Sequence, residues 1–144
     1  MNANEEFLNY IHQNAEMGIS SINRLLEIVD DSEFKEMLKK QFNQYNELYN
    51  KSKNKLNALN KDAKGINKLQ KIETYLMINM KTISDKSANH IAEMLIQGST
   101  MGIIQIIRRL KQYNGNVDDD IYNLGKTLLD IEQYNVDECK EYLR

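Results

Sequence analysis

The sequence of 144 residues contains no proline and no tryptophan, and it has only six glycines. Proline and glycine interrupt helices, whereas the leucine, isoleucine, lysine, glutamate and glutamine that are abundant here favour them. The composition therefore predicts long helices rather than sheets. A chain of this length is typical of one domain with a single hydrophobic core.

Cysteine, excess charge and long apolar runs are also scarce. The single cysteine, Cys139, cannot form an internal disulfide and fits a reducing compartment. A formal net charge of −2, with acids and bases mixed along the chain, provides no basic surface for nucleic acid. No segment approaches the ~20 apolar residues of a membrane span, and the start, MNANEEFLNY, lacks the features of a secretory signal. We therefore expect a cytoplasmic protein that binds neither nucleic acid nor membranes.

Recognisable catalytic motifs are missing as well. The glycine patterns of P-loops, dinucleotide-binding folds and nucleophile elbows are absent, and two histidines leave little material for general-base catalysis. These absences predict a non-enzymatic protein.

Apolar residues that recur every three or four positions predict five helices, at 4–29, 32–59, 66–83, 86–113 and 118–142. The polar segment 60–65 ends in glycine and is the best candidate for a linker. The apolar phase changes across 84–87, which predicts a break there. We expect one domain made of two hairpins, 4–59 and 86–143, with the helix 66–83 crossing between them.

An internal repeat relates the two hairpins. The segments QNAEMGISSINRLL (13–26) and QGSTMGIIQIIRRL (97–110) align without a gap and are identical at seven of fourteen positions. Apolar periodicity explains the shared isoleucines and leucines but not the shared glutamine, methionine, glycine and arginine, so we interpret the match as a duplication. The triplet Gln-Tyr-Asn, at 44–46 and 133–135, gives weaker support because it requires a longer turn in the second copy.

Two antiparallel hairpins joined by a long connection form a four-helix bundle with one crossover, as in ferritin-like proteins. Over AEMGISSINRLLEIVDDSEFKEMLKKQF and HIAEMLIQGSTMGI, the chain resembles small bacterial helical bundles of the ferritin-like superfamily. The resemblance implies an all-α antiparallel four-helix bundle, and membership of that superfamily would normally suggest iron. No diagnostic catalytic string accompanies it.

The ligands of a ferritin-like di-iron site are largely missing. Such a site uses Glu-x-x-His pairs, but an asparagine and a serine stand three positions before His12 and His90. We therefore expect no cofactor and interpret the two histidines as solvent-exposed partners of Glu16 and Glu93. The alternative is a metal-binding or redox protein with an unusual iron or manganese site drawn from His12, Glu16, His90, Glu93, Glu132 and Glu138.

Polar residues interrupt the apolar stripes of the second and last helices. The stripe of the last helix is predicted to run through Leu124, Leu128, Ile131, Asn135 and Glu138. The inward polar residues either line a small ligand pocket or satisfy one another in the core, with Lys55 reaching Glu138. This candidate pocket comprises Gln41, Tyr45, Ser52, Asn135 and Glu138, and Asn79 of the predicted helix 66–83 is a further inward polar residue.

The repeat also preserves residues on the side of its helices opposite the apolar stripe. Methionine and arginine are enriched at protein interfaces, so this face predicts self-association, most simply as a homodimer. The predicted interface comprises Gln13, Met17, Arg24, Met94, Gln97, Met101, Ile104 and Arg108. The competing interpretation is that the predicted helix 66–83 covers part of this face.

Our leading hypothesis for the function of the whole chain is a binding or interaction protein.

Overall fold

The computed structural model describes residues 2–61 and 84–144. This part of the chain forms four helices: α1 (Ala3–Ile28), α2 (Ser32–Ala58), α3 (Ala88–Tyr113) and α4 (Asp119–Lys140). Four of the five predicted helices are therefore confirmed, with every end within two residues of its predicted position. The predicted crossover helix 66–83, which includes Asn79, lies outside the described residues.

Polar residues cap α2 and α3 at their first turns. The side chain of Asp31 accepts a hydrogen bond from the main-chain nitrogen of Phe34 over 2.8 Å, and Ser87 does the same for His90 over 3.2 Å. These bonds satisfy main-chain donors that have no partner within the first turn. At the other end of α3, Gly115 has a φ of 78°, a conformation that glycine adopts without a steric penalty.

Contacts near the helix ends fix the direction of α2 relative to its neighbours. Nζ of Lys61, just beyond α2, lies 3.8 Å from Oε2 of Glu5 near the start of α1. At the opposite end, the ring of Phe34 packs against that of Tyr142, just beyond α4, with centroids 4.8 Å apart. Helix α2 is therefore antiparallel to both α1 and α4.

Helix α3 is likewise antiparallel to α1 and α4. The ring of Tyr113, at the end of α3, stacks on Phe7 near the start of α1, with centroids 4.8 Å apart. The main-chain nitrogen of Arg144 donates to Oδ1 of Asn89, at the start of α3, over 2.9 Å. It follows that α2 and α3 run in the same direction, and that the end of α2 and the start of α3 lie at opposite ends of the bundle.

The first half of α1 is buried around its whole circumference. Nine consecutive residues, Phe7 to Ala15, are buried, whereas a helix at the surface of a bundle buries only one stripe. Asn14 is accommodated because its amide nitrogen donates to the main-chain oxygen of Tyr10 over 2.8 Å. Residues of α1 that a simple amphipathic pattern places outside are therefore inside the protein.

Candidate functional site

The centre of the bundle contains a buried tyrosine and a buried carboxyl group that are hydrogen bonded to each other. The hydroxyl of Tyr45 in α2 donates to Oε1 of Glu132 in α4 over 2.7 Å. Ser99 of α3 provides a second hydrogen bond to the same carboxyl group. Burial raises the pKa of Glu132 to about 7, although the hydrogen bonds from Tyr45 and Ser99 oppose that shift.

Asn135 extends this cluster by one turn of α4. Its amide nitrogen donates to the hydroxyl oxygen of Tyr45 over 3.3 Å. Its own Oδ1 is buried and has no hydrogen-bond partner among the described residues. Burial of Tyr45 raises the pKa of its phenol well above the ordinary value, and the neighbouring Glu132 adds to this shift. The phenol therefore stays neutral and acts as a hydrogen-bond donor.

A cavity opens beside the Tyr45–Glu132 pair, between residues of all four helices. Its volume is about 50 Å³, enough for a few water molecules or a small organic group. The cavity combines a carboxyl group, amides and hydroxyls with aliphatic side chains, and three glycines contribute to its wall. Its lining consists of Asn14, Met17, Gly18, Ser21, Ile22, Gln41, Tyr45, Leu95, Gly98, Ser99, Gly102 and Glu132.

The two glycines matched in the sequence repeat each face one member of the central pair. A Cβ atom placed on Gly18 of α1 would lie 2.6 Å from the ring of Tyr45, so this glycine permits close approach of α1 and α2. A Cβ atom on Gly102 of α3 would lie 3.6 Å from Cδ of Glu132, an ordinary contact. The glycine is therefore required sterically in the first hairpin but not in the second.

Helices α2 and α4 bury corresponding positions when they are aligned on their first residues, Ser32 and Asp119. Tyr45 and Glu132 then occupy the same place in the two hairpins. The corresponding buried pairs are Phe34 and Ile121, Leu38 and Gly125, Gln41 and Leu128, Tyr45 and Glu132, Leu48 and Asn135, and Ser52 and Cys139.

This correspondence corrects the match of the two Gln-Tyr-Asn triplets. Tyr45 is 5 % exposed, whereas Tyr134 is 47 % exposed, so the two tyrosines do not occupy equivalent positions. In the predicted stripe of the last helix, Leu128, Ile131 and Asn135 are buried, whereas Leu124 and Glu138 are each one residue out of phase. The predicted pattern favoured large apolar residues, but α4 also buries smaller or more polar ones: Gly125, Glu132 and Cys139.

Only part of the predicted polar pocket comes together. Gln41 and Tyr45 line the cavity, and Asn135 donates a hydrogen bond to the hydroxyl oxygen of Tyr45. Ser52 and Glu138 do not line it. The missing member was Glu132, because the predicted stripe included only its neighbour Ile131.

Lys55 and Ser52 have partners that differ from those predicted. Lys55 forms an ion pair with Asp120 at the start of α4, not with Glu138, because the C-terminal turns of α2 pack beside the N-terminus of α4. Oγ of Ser52 lies 2.9 Å from Nδ1 of His12, within hydrogen-bonding distance. Ser52 is therefore part of a separate contact between α1 and α2.

The environment of His12 contradicts the predicted solvent-exposed pair. Its ring is buried and lies 4.4 Å from the ring of Tyr49, centroid to centroid. Burial lowers the pKa of His12, because the charged imidazolium loses its hydration. His90 is half-buried and Glu93 is exposed, so the two histidines have unlike surroundings.

The alternative metal set is not assembled in the described part of the chain. Across residues 2–61 and 84–144, no three histidine, cysteine, aspartate or glutamate side chains converge as metal ligands would. Of the six residues in that set, Glu132 faces the central cavity, while His12 contacts Ser52 and Tyr49.

The predicted interface divides into a buried part and an exposed part. Gln13, Met17 and Met94 are buried, which corrects their placement on an outer face. For Gln13, the physical reason is the burial of the first half of α1 on all sides, whereas Met17 is buried because it lies in the cavity wall. The other five residues are exposed: Arg24, Gln97, Met101, Ile104 and Arg108.

Comparisons with models of protein families, with curated proteins and with solved structures find no match. None of the described helices is long and apolar enough to cross a membrane. The residues that surround the central cavity are therefore the main basis for a proposal about function.

Proposed function

We propose that this chain is a non-enzymatic binding protein whose ligand site is the cavity beside Tyr45 and Glu132. The observation that carries the proposal is the buried carboxyl group of Glu132 in the wall of a cavity that also has aliphatic walls. A buried carboxyl group costs free energy unless it is well paired, so its position beside open space favours a ligand-binding role.

The architecture supports a ferritin-like arrangement for this binding protein. Helix α2 ends at one end of the bundle and α3 begins at the other. A four-helix bundle with one crossover places its second and third helices in the same way. The corresponding buried positions of α2 and α4 likewise support an origin by duplication of a hairpin.

A screen of small organic fragments by NMR tests the binding function. We expect at least one chemical class to shift the methyl resonances of Met17, Ile22 and Leu95, which line the cavity. The variant Gly102→Leu should abolish these shifts, because its side chain would extend from the cavity wall beside Glu132. The exposed position Thr100, on the same helix, provides the control Thr100→Leu, which should bind like the unmodified protein.

Two results would contradict the binding function. One is that no class in the screen shifts the methyl resonances of the cavity wall. The other is that Gly102→Leu and Thr100→Leu reduce binding equally, since the fragments would then bind outside the cavity. Both variants must first give well-dispersed spectra, which separates loss of binding from loss of structure.

Self-association is a second candidate function, which an exposed line of residues on α3 favours. Its two apolar members, Met101 and Ile104, are 38 % and 47 % exposed. Residues spaced by three or four positions share one side of a helix, so the line is continuous: Gln97, Met101, Ile104 and Arg108. A second copy packed antiparallel on this line would place Met101 against Ile104 and bury both.

Light scattering combined with gel filtration tests this second candidate. We expect a dimer whose dissociation constant rises at least tenfold in Met101→Lys, because a charge would replace a buried apolar contact. Thr100→Lys adds the same charge at the neighbouring position and serves as the control. A strict monomer, or equal effects of both variants, would exclude a dimer through this line.

A further inference from the structure

The polar wall of the cavity is rich in hydrogen-bond acceptors. The amide nitrogen of Asn14 donates to the main-chain oxygen of Tyr10, and the amide nitrogen of Gln41 donates to Sγ of Cys139 over 3.8 Å. Each of these amide nitrogens keeps a second N–H, and each amide also has an oxygen that can accept a hydrogen bond from a ligand. Together with Glu132, these two oxygens can accept hydrogen bonds from a donor.

Glu132 has only neutral protein partners in the described part of the chain. Its carboxyl group is hydrogen bonded to Tyr45 and Ser99, and none of the ion pairs there includes it. An ionised carboxylate in such a place is under-compensated, because hydroxyl groups supply dipoles but no opposite charge. The cavity is the space beside Glu132 from which a cation can reach it.

We propose that the cavity binds the ammonium group of a small primary amine, with Glu132 as its counter-ion. The inference rests on the binding function proposed above and specifies the chemical class of the ligand. An ammonium group has three donors and no acceptor, which matches a carboxylate and two amide oxygens. The aliphatic part of the amine lies against Met17, Ile22 and Leu95 in the same cavity.

The size of the cavity limits which amines fit. A volume of about 50 Å³ accommodates an ammonium group and a few carbon atoms. A short unbranched alkylamine meets this limit. Butylamine is therefore a suitable probe, with butan-1-ol as its uncharged counterpart and butyrate as its anionic counterpart.

The groups around Glu132 make binding of the amine depend on pH. The titratable groups that interact with it from other helices are Tyr45 and Tyr10, and both phenols have raised pKa values and are neutral near pH 7. On its own helix, burial also raises the pKa of the Cys139 thiol, to about 11. Arg109 of α3 lies over the ring of Tyr10, and its charge acts on the phenols of Tyr10 and Tyr113. Glu132 is the group in this set that changes charge between pH 6 and pH 8.

Isothermal titration calorimetry with the three probes tests the inference. We expect butylamine to bind, and to bind about tenfold more tightly at pH 8 than at pH 6, since Glu132 has to lose its proton first. Butan-1-ol and butyrate should bind at least tenfold more weakly. Glu132→Gln should abolish binding of butylamine, whereas Glu138→Gln, on the same helix but outside the cavity, should not.

The outcomes separate this inference from the binding function itself. If butan-1-ol or butyrate shifts the methyl resonances of the cavity wall and butylamine does not, the cavity binds ligands but the assignment of an amine is wrong. The assignment is also wrong if butylamine binds equally well to the protein and to Glu132→Gln. Should Glu132→Gln fail to fold, the pH dependence of butylamine binding to the unmodified protein decides, because a constant affinity from pH 6 to pH 8 excludes Glu132 as the counter-ion.

Discussion

The hydroxyl of Tyr45 donates a 2.7 Å hydrogen bond to Oε1 of Glu132, and this bond joins the two hairpins at the centre of the bundle. The two residues occupy corresponding positions of α2 and α4, so the polar contact forms where the equivalent helices of the hairpins face each other. A tyrosine in one hairpin and a glutamate in the other make this contact asymmetric. The asymmetry allows one side to donate and the other to accept.

Removing the hydroxyl group of Tyr45 should destabilise the protein. Tyr45→Phe leaves Glu132 without its 2.7 Å partner and removes the acceptor of the Asn135 amide. We expect the free energy of unfolding to fall by about 1–3 kcal/mol, the usual cost of leaving buried polar groups unpaired. Tyr134 of the second Gln-Tyr-Asn triplet is exposed, so Tyr134→Phe should change the free energy of unfolding by less than about 0.5 kcal/mol.

Urea denaturation of the two tyrosine variants measures this difference. The slope of the free energy with urea concentration should stay the same, so that the midpoints can be compared directly. Equal losses in Tyr45→Phe and Tyr134→Phe would contradict the importance of the central hydrogen bond.

The two repeated glycines should respond in opposite ways to the same substitution. Gly18→Ala brings a methyl group to 2.6 Å from the ring of Tyr45, and we expect a loss of about 1–3 kcal/mol from overpacking. Gly102→Ala meets Glu132 at 3.6 Å, and we expect a gain of roughly 0.5–1 kcal/mol from the higher helix propensity of alanine. Thermal unfolding followed by circular dichroism distinguishes them, and a gain in both variants would show that α1 and α2 can separate at little cost.

The helices and their ends were predictable because they depend on local patterns. The steps of three and four residues in α1 and α2, together with caps such as Asp31 and Ser87, are properties of neighbouring residues in the sequence. Gln41 and Tyr45 were also predictable members of the cavity, because they interrupt a clear apolar stripe.

The rest of the site depends on contacts between helices, which periodicity does not contain. Glu132 was missed as a cavity residue because its neighbour Ile131 fits an apolar stripe better, yet α4 buries both residues. His12 was predicted to be solvent-exposed because a single-face pattern cannot reveal that α1 is enclosed. Gly18 and Gly102 differ in the space around them because Gly18 faces the ring of Tyr45 and Gly102 faces Glu132.

The thiol of Cys139 should react slowly in the folded protein. It is buried, and burial raises its pKa to about 11 although the hydrogen bond from Gln41 opposes the shift. At pH 8, the smaller thiolate fraction alone slows alkylation about 100-fold relative to a thiol of pKa 9, and burial slows it further. Iodoacetamide labelling followed by mass spectrometry measures the rate.

An exposed thiol provides the control for this experiment. In a Cys139→Ser background, Ser20→Cys places a thiol at an exposed position of α1, and it should be labelled rapidly without denaturant. Labelling of Cys139 at a similar rate would mean that the end of α4 opens readily.

The raised pKa of Glu132 predicts that the folded protein loses stability as the pH rises. The folded state holds this proton with a pKa of about 7, against an ordinary value of 4.5, so folding takes up a proton between these values. The stabilising contribution is complete below pH 4.5 and is lost as the pH rises through 7. The difference corresponds to roughly 3 kcal/mol at most.

Burial of His12 acts in the opposite direction, since its pKa is lowered from 6.5 in the folded state. The unfolded chain then takes up the proton first, and stability falls as the pH falls below 6.5. Urea denaturation from pH 5 to pH 8.5 separates the two groups when it is repeated on Glu132→Gln. In Glu132→Gln, stability should still fall as the pH falls below 6.5, because His12 is unchanged. It should no longer fall as the pH rises from 6 to 8. An unchanged loss in that range would mean that another group carries the proton.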